Sequence, residues 1–362
     1  MVTLRFTQLG FTQLGFTQLG FTLLAAACAA LGLSGCSRTG SSAAIEHSES
    51  TFISDSPRRG TKKQRRFQFT YAGTIHHLKP NAVARVWLPV AQSSAEQTVT
   101  LQHVRLPGEH RRTTETRFGN KLIYFETTAN EKGEIPIDVE YLVERREVRR
   151  DHAAASDTEV SALETRKFLA AASHVPVDGS LLAELLRGKQ PTGPTLEVAR
   201  LLYEAVDDRM KYDKPEGQGW GQGDARWACG SGFGNCTDFH SLFIAVCRDS
   251  KIPAKFEIGF PIPSNGCEGR IGGYHCWAKF YDDATKRWVA VDISEADKDA
   301  SMKEYYFGSL TADRVTFTTG RDLQLVPRQQ AGPVNFLVYP YVEVEGKQHT
   351  SFAKAFRYED VE

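Results

Sequence analysis

Beyond residue 65 the chain alternates between apolar and polar positions in short bursts. Phe67, Phe69 and Tyr71 are separated by polar residues, and Val83 to Leu88 forms a second burst that Pro89 ends. A period of two places successive side chains on opposite faces of a pleated strand, and proline cannot donate to the ladder. Val99, Leu101 and Val104 mark a third strand. Lys121 to Phe125 follows a turn at Gly119-Asn120, and Ile135 to Val143 alternates again. Strands at this spacing predict a β-sandwich over residues 66–150.

The period then lengthens. Leu163, Lys167 and Ala170 predict one helix, and Ser180 to Leu186, closed by Gly188, a second. Thr195 to Met210 predicts a third, because Leu196, Ala199, Leu202, Tyr203 and Val206 recur at helical spacing. From Lys211 to Asn235 glycines alternate with Trp220 and Trp227, so a long functional loop is expected there. Further strands are predicted at Lys255–Phe260, Tyr274–Tyr281 and Arg287–Asp292. Tyr305–Gly308, Arg314–Thr318 and Val334–Val344 should complete that sheet. The expected class is α+β, with the sandwich followed by a catalytic domain over 151–345 and a C-terminal tail at 346–362.

The candidate chemistry sits where loop meets helix. Phe239, Leu242, Phe243, Val246 and Cys247 line one face of a helix, and Asn235 is a good N-cap residue. Cys236 therefore falls in the first helical turn. The positive end of the helix dipole and the unpaired N–H groups there favour thiolate. Downstream, a turn at Asp282-Asp283 makes a hairpin of the two strands that carry His275 and Asp292, bringing those side chains together. A histidine that shares the thiol proton and a carboxylate that fixes its tautomer are what nucleophilic attack on an amide requires.

The order Cys236, His275, Asp292, with Gly234-Asn235-Cys236, Ile252-Pro253-Ala254, His275-Cys276-Trp277 and Trp288 to Asp292, resembles the transglutaminase-like superfamily, a circularly permuted papain arrangement. The resemblance extends from about Leu196 to Arg321. It implies a papain-like domain, a thioester intermediate and no cofactor. It also implies that an upstream tryptophan, Trp220 or Trp227, joins the Cys236 backbone N–H as oxyanion donor. Animal members use calcium, but the acidic run Asp292–Asp299 lacks EF-hand spacing and is expected to be a solvated loop. Zinc is not expected either. Cys229, Cys236, Cys267 and Cys276 with His240 and His275 lack paired C-x₂₋₄-C spacing, and His76-His77 reads as a turn.

The first 36 residues read as an export leader. They hold three copies of Phe-Thr-Gln-Leu-Gly and an apolar run from Phe21 to Leu33. Leu33-Ser34-Gly35-Cys36 resembles a bacterial lipobox, which makes Cys36 the candidate lipidated residue. Residues 37–65 are expected to be a flexible tether, with the basic cluster Arg58 to Arg66 a solvated linker. That implies a lipid anchor in the cell envelope facing the periplasm, with the outer membrane favoured by Ser37.

Lys plus Arg and Asp plus Glu are 44 each, so charge gives no argument for a nucleic-acid partner. Cys229, Cys247, Cys267 and Cys276 allow up to two disulfides in an oxidising compartment, and their pairing stays open. The expected activity is thiol-dependent amide hydrolysis on protein or cell-wall peptide. Acyl transfer to an amine and a non-catalytic binding module on the same fold are the alternatives.

Overall fold

The computed structural model describes residues 62–150 and 161–361, all within one compact unit spanning 50–362. The leader, Cys36 and the tether up to Thr61 lie outside the described residues. Among those described, no helix is long and apolar enough to cross a membrane.

Six strands open the unit: β1 (Gln64–Ile75), β2 (Val83–Pro89), β3 (Gln97–Arg105), β4 (His110–Thr114), β5 (Lys121–Thr128) and β6 (Ile135–Arg146). Helices α1 (Ala162–Leu169), α2 (Ser180–Leu185) and α3 (Thr195–Arg209) follow. The short strands β7 (Lys211–Tyr212) and β8 (Phe233–Gly234) then flank α4 (Ala225–Ser231). Next come α5 (Cys236–Asp249), β9 (Ala254–Pro261), β10 (Glu268–Arg270), β11 (His275–Asp282), β12 (Arg287–Val291), α6 (Ile293–Lys298) and α7 (Lys303–Tyr306). The chain closes with β13 (Arg314–Thr319), β14 (Tyr341–Val344), β15 (Lys347–His349), β16 (Phe352–Lys354) and β17 (Arg357–Asp360).

The strands fall into three main sheets. One has the order β10-β17-β1-β6-β3, with β16 also on β1. The second is β15-β14-β2-β5-β4, and the third is β12-β11-β9-β13. In the first two, period-two alternation turns Phe67, Phe69, Tyr71, Val86, Phe125, Val139 and Tyr141 inward, where they share one apolar cluster. The expected C-terminal tail instead supplies strands: β15 pairs with β14, and β16 and β17 pair with β1. Tyr358, buried on β17, explains why these residues are held in place.

The third sheet carries α5 on one face. Phe239, Leu242, Phe243 and Val246 are fully buried, each contributing about 1.5–3 kcal/mol of apolar burial. Gly259 of β9 lets β13 approach closely, since a Cβ there would fall 1.8 Å from the Val315 carbonyl oxygen. A buried ionic network ties this sheet to β6. Arg145 pairs with Glu96, Glu96 with Lys279, and Lys279 with Glu257.

Five local expectations give way to better-satisfied backbone. The Gly-rich stretch contains α4, because Asp224 caps it by accepting from the N–H groups of Arg226 and Trp227. The acidic stretch is the helix α6, capped by Asp292, with Ile293, Ser294 and Ala296 buried. Arg65 is no linker residue: it lies buried in β1 and bonds Asp313 and Asp360. Tyr305 and Tyr306 end α7, and of Val334–Val344 only 341–344 is a strand, which pairs with β2 in the second sheet instead of completing the third.

Candidate active site

The start of α5 is held by a reciprocal cap. The Asn235 side chain accepts from the Thr237 N–H at 2.9 Å, and the Asp238 carboxylate accepts from the Asn235 N–H at 3.0 Å. Asp238 also accepts from Gly221 N–H at 2.7 Å and Gly223 N–H at 2.9 Å, pinning the Gly-rich loop to the helix. Gly234 is required beside it, because a Cβ would sit 2.6 Å from the carboxylate. Cys236 thus occupies the first helical position, 3% exposed.

His275 opens β11 and Asp292 caps α6. The ladder pairs Ala278 with Val291, which carries Asp292 to the level of Trp277, one diagonal step from His275. Nε2 of His275 meets Asp292 Oδ2 at 2.7 Å. The charge and hydrogen-bonding capacity of the same ring act on the Cys236 thiol. The structure therefore brings all three residues together. Asp292 Oδ1 accepts from Ser294 Oγ at 3.2 Å and the Glu295 N–H at 3.3 Å, while Arg314 Nη1 donates to Oδ2 at 2.9 Å.

The protonation states follow from these contacts. Burial opposes an ionised Cys236, but hydrogen bonds from Cys276 and His275 and the charge of His275 hold its thiol well below the ordinary range. Burial likewise opposes an imidazolium, but the Asp292 carboxylate raises His275 to about 10. Burial alone would raise Asp292, yet His275 and Arg314 hold it far below a normal carboxylate. The favoured state is thiolate and imidazolium.

The two tryptophans fare differently. Trp220 donates its indole N–H to the Pro215 carbonyl at 2.8 Å and is committed within its own loop. Trp227 packs edge-on against Phe233 with its indole nitrogen beneath Gly219. The hydroxyl nearer the helix start is that of Tyr274, which accepts from Asn235 Nδ2 at 3.1 Å. Arg314, Tyr274 and Lys298 were not singled out in sequence. An arginine opening a strand or a tyrosine before a histidine carries no spacing signal by itself.

All five described cysteines are free thiols. Cys229 and Cys247 are buried and raised by that burial, Cys229 to about 11, while Cys267 is exposed. His275, Asp292 and Glu295 offer ligand atoms within 4.8 Å of one another. Their carboxylates are already neutralised by Arg314 and by Lys298, which lies 2.5 Å from Glu295.

The sequence profile of the transglutaminase-like superfamily matches residues 180–293, a span that holds Cys236, His275 and Asp292. Residues 180–293 are a transglutaminase-like domain. An uncharacterised protein of Haemophilus influenzae is 31% identical over 234 residues, 55% of this chain. The chain spans 62% of that relative's length. A crystal structure of a candidate cysteine protease from Cytophaga hutchinsonii shares the mixed α/β fold. It has a TM-score of 0.51 and 14% identity, over 83% of this chain and 99% of that one. The periplasmic domain of TgpA from Pseudomonas aeruginosa aligns over 69% of this chain and 93% of that one, at 14% identity and a TM-score of 0.35.

Proposed function

We propose that Cys236, His275 and Asp292 are the catalytic triad of a cysteine enzyme that cleaves amide bonds of protein or cell-wall peptide through a thioester. The observation that carries this reading is the 2.7 Å bond between His275 Nε2 and Asp292, with the Cys236 thiol in the first turn of α5 under the influence of that ring. Cys236 attacks the amide carbonyl, His275 delivers its proton to the departing amine, and Asp292 keeps the ring oriented. The developing oxyanion would take the Cys236 backbone N–H, with the Tyr274 hydroxyl nearby as a second donor. Water then resolves the thioester. Hydrolysis is preferred because it needs only water, whereas transfer requires a second site that holds an amine and excludes water. An assay with a glutamine donor peptide and a fluorescent amine, with ammonia release followed in parallel, tests the choice. Ammonia without amine incorporation is expected, incorporation would establish transfer, and neither would overturn both.

In this reading the strands of 66–150 and the C-terminal strands form a sandwich that carries the catalytic module of 151–345. Residues 37–65 tether it to a lipid on Cys36 in the envelope, facing the periplasm. The support is the Leu33-Ser34-Gly35-Cys36 sequence. Palmitate labelling that persists in Cys36→Ala would refute the anchor.

A further inference from the structure

Each triad residue has a buried neighbour in the chain, and the three neighbours meet at one ring. His240 lies one turn beyond Cys236 on α5, Cys276 follows His275 on β11, and Ile293 follows Asp292 at the start of α6. All three are fully buried. His240 Nε2 lies 3.1 Å from the Ile293 backbone nitrogen, and His240 Nδ1 lies 3.6 Å from the Cys276 sulfur. One side chain with no part in the steps above thus spans the three elements that carry the triad.

The directions of these bonds follow from a donor that has no alternative. The first N–H groups of a helix have no partner inside it, and that of Ile293 donates to His240 Nε2. That nitrogen carries no proton, so the neutral ring holds its proton on Nδ1. A second proton would set N–H against N–H, and burial holds His240 below its ordinary pKa. The Cys276 sulfur therefore accepts from Nδ1–H. Asp292 Oδ1 lies 3.7 Å from His240 Nε2, beyond hydrogen-bond reach, and takes its donors from Ser294 and Glu295 instead.

We propose that His240 is a positioning residue for the triad: by accepting from the Ile293 N–H it fixes the Asp292–Ile293 peptide against the helix that carries Cys236, and so keeps the Asp292 carboxylate aimed at His275. The inference rests on the reading of Cys236, His275 and Asp292 as the triad. The backbone on both sides of Asp292 is then tied down. His240 holds the N–H that follows it, and its own N–H donates to the Tyr306 carbonyl at 3.1 Å. The bond to Cys276 holds the start of β11, and with it His275, to the same ring. When the carboxylate drifts from the imidazole, the imidazolium loses its counter-charge and the Cys236 thiolate loses its partner.

The test is the rate of Cys236 alkylation by iodoacetamide against pH, read on the Cys236 peptide by mass spectrometry, with the full chain in reducing buffer. Wild type is compared with His240→Leu, which removes both ring contacts, and with His240→Gln, whose side-chain oxygen can still accept from the Ile293 N–H. The expected result is a low midpoint in wild type, a midpoint about one pH unit higher in His240→Leu, and substantial recovery in His240→Gln. The corresponding loss of rate below the midpoint is about tenfold, the size of one hydrogen bond. A folded His240→Leu with the wild-type midpoint overturns the proposal while leaving the nucleophile intact, as does a His240→Gln that behaves like His240→Leu. A wild-type Cys236 that titrates like an ordinary cysteine overturns the triad reading itself. Should His240→Leu not fold, His240→Asn, too short to reach Ile293, takes its place with the same expected rise. The ring-nitrogen resonances of wild type give a check that needs no variant. A neutral His240 with its proton on Nδ1 is expected at pH 7, and a proton on Nε2 overturns the proposal.

Discussion

Arg314 and His275 bind the same oxygen of Asp292, at 2.9 Å and 2.7 Å respectively. The guanidinium also lies over the Trp277 ring, 4.8 Å from its centroid. Two cations on one buried carboxylate keep Asp292 ionised even as His275 gives up its proton. Arg314→Met removes half of that compensation from a fully buried charge. A loss of about 3 kcal/mol is expected in urea denaturation. The same substitution in an Asp292→Asn background should cost markedly less, since the charge it compensates is gone. Equal losses in both backgrounds would show that the two side chains do not support each other.

The paired shifts of Cys236 and His275 define a pH window. His275 is raised to about 10, so its stabilising share is complete below the ordinary histidine value and is lost as pH rises through about 10. Cys236 is lowered, so its share is present above the ordinary thiol value and is lost as pH falls through the lowered one. Between these limits the thiolate–imidazolium pair persists. Alkylation of Cys236 should therefore stay flat from neutrality to about pH 9, where a free cysteine is still rising. Turnover, followed as kcat/KM, should fall as pH passes about 10, because His275 then has no proton for the departing amine. A rate that climbs in step with a free thiol would rule out the ion pair.

The triad could be read in sequence because each member sits where a local rule acts: a cap before Cys236, and alternation with a turn around His275 and Asp292. The first two sheets were half visible for the same reason, since Phe67 to Tyr71 and Ile135 to Val143 alternate cleanly. What escaped was long-range. Nothing near Phe352 or Tyr358 announces that they pair with β1, almost 300 residues away in the chain. Arg65 looked like one more charge in a basic run until Asp313 and Asp360 closed around it. The helix α4 was hidden by its glycines, although Asp224 ahead of Arg226 and Trp227 was a legible cap. The acidic stretch hid α6 because its charged residues mask a short helix whose buried side is only Ile293, Ser294 and Ala296.

Asp238 couples the helix start to the Gly-rich loop. Its carboxylate takes three backbone N–H groups, those of Gly221, Gly223 and Asn235. Asp238→Ala removes one cap and leaves these donors without a partner, a loss of about 3 kcal/mol. Hydrogen exchange should accelerate across 215–224 more than across the body of α5. Burial raises Asp238 to about 6, above the ordinary 3.8. Its contribution is therefore complete below 3.8 and is lost as pH rises through 6. Asp238→Asn should erase that part of the stability–pH curve, and an unchanged curve would refute the assignment.

Lys279 sits between two carboxylates, the half-buried Glu96 and the buried Glu257, the latter at 3.1 Å. Glu257 also accepts the Trp277 indole N–H at 2.8 Å and pairs with Lys255 at 3.3 Å. Burial would raise Glu257, but Lys279 and Lys255 hold it at about 2. Its contribution is thus present above the ordinary glutamate value and is lost as pH falls through about 2. Lys279→Met keeps the length of the side chain and removes the charge, leaving Glu96 and Glu257 to repel across the junction of β11 with the residues before β3. A loss of about 3 kcal/mol is expected near pH 7. It should shrink steadily on acidification, because protonation relieves the repulsion in the variant while dissolving the ion pair in wild type. Paired urea titrations from neutrality down to about pH 2 measure the difference. A gap that stays constant over that range would assign the loss to packing of the Lys279 stem rather than to its charge.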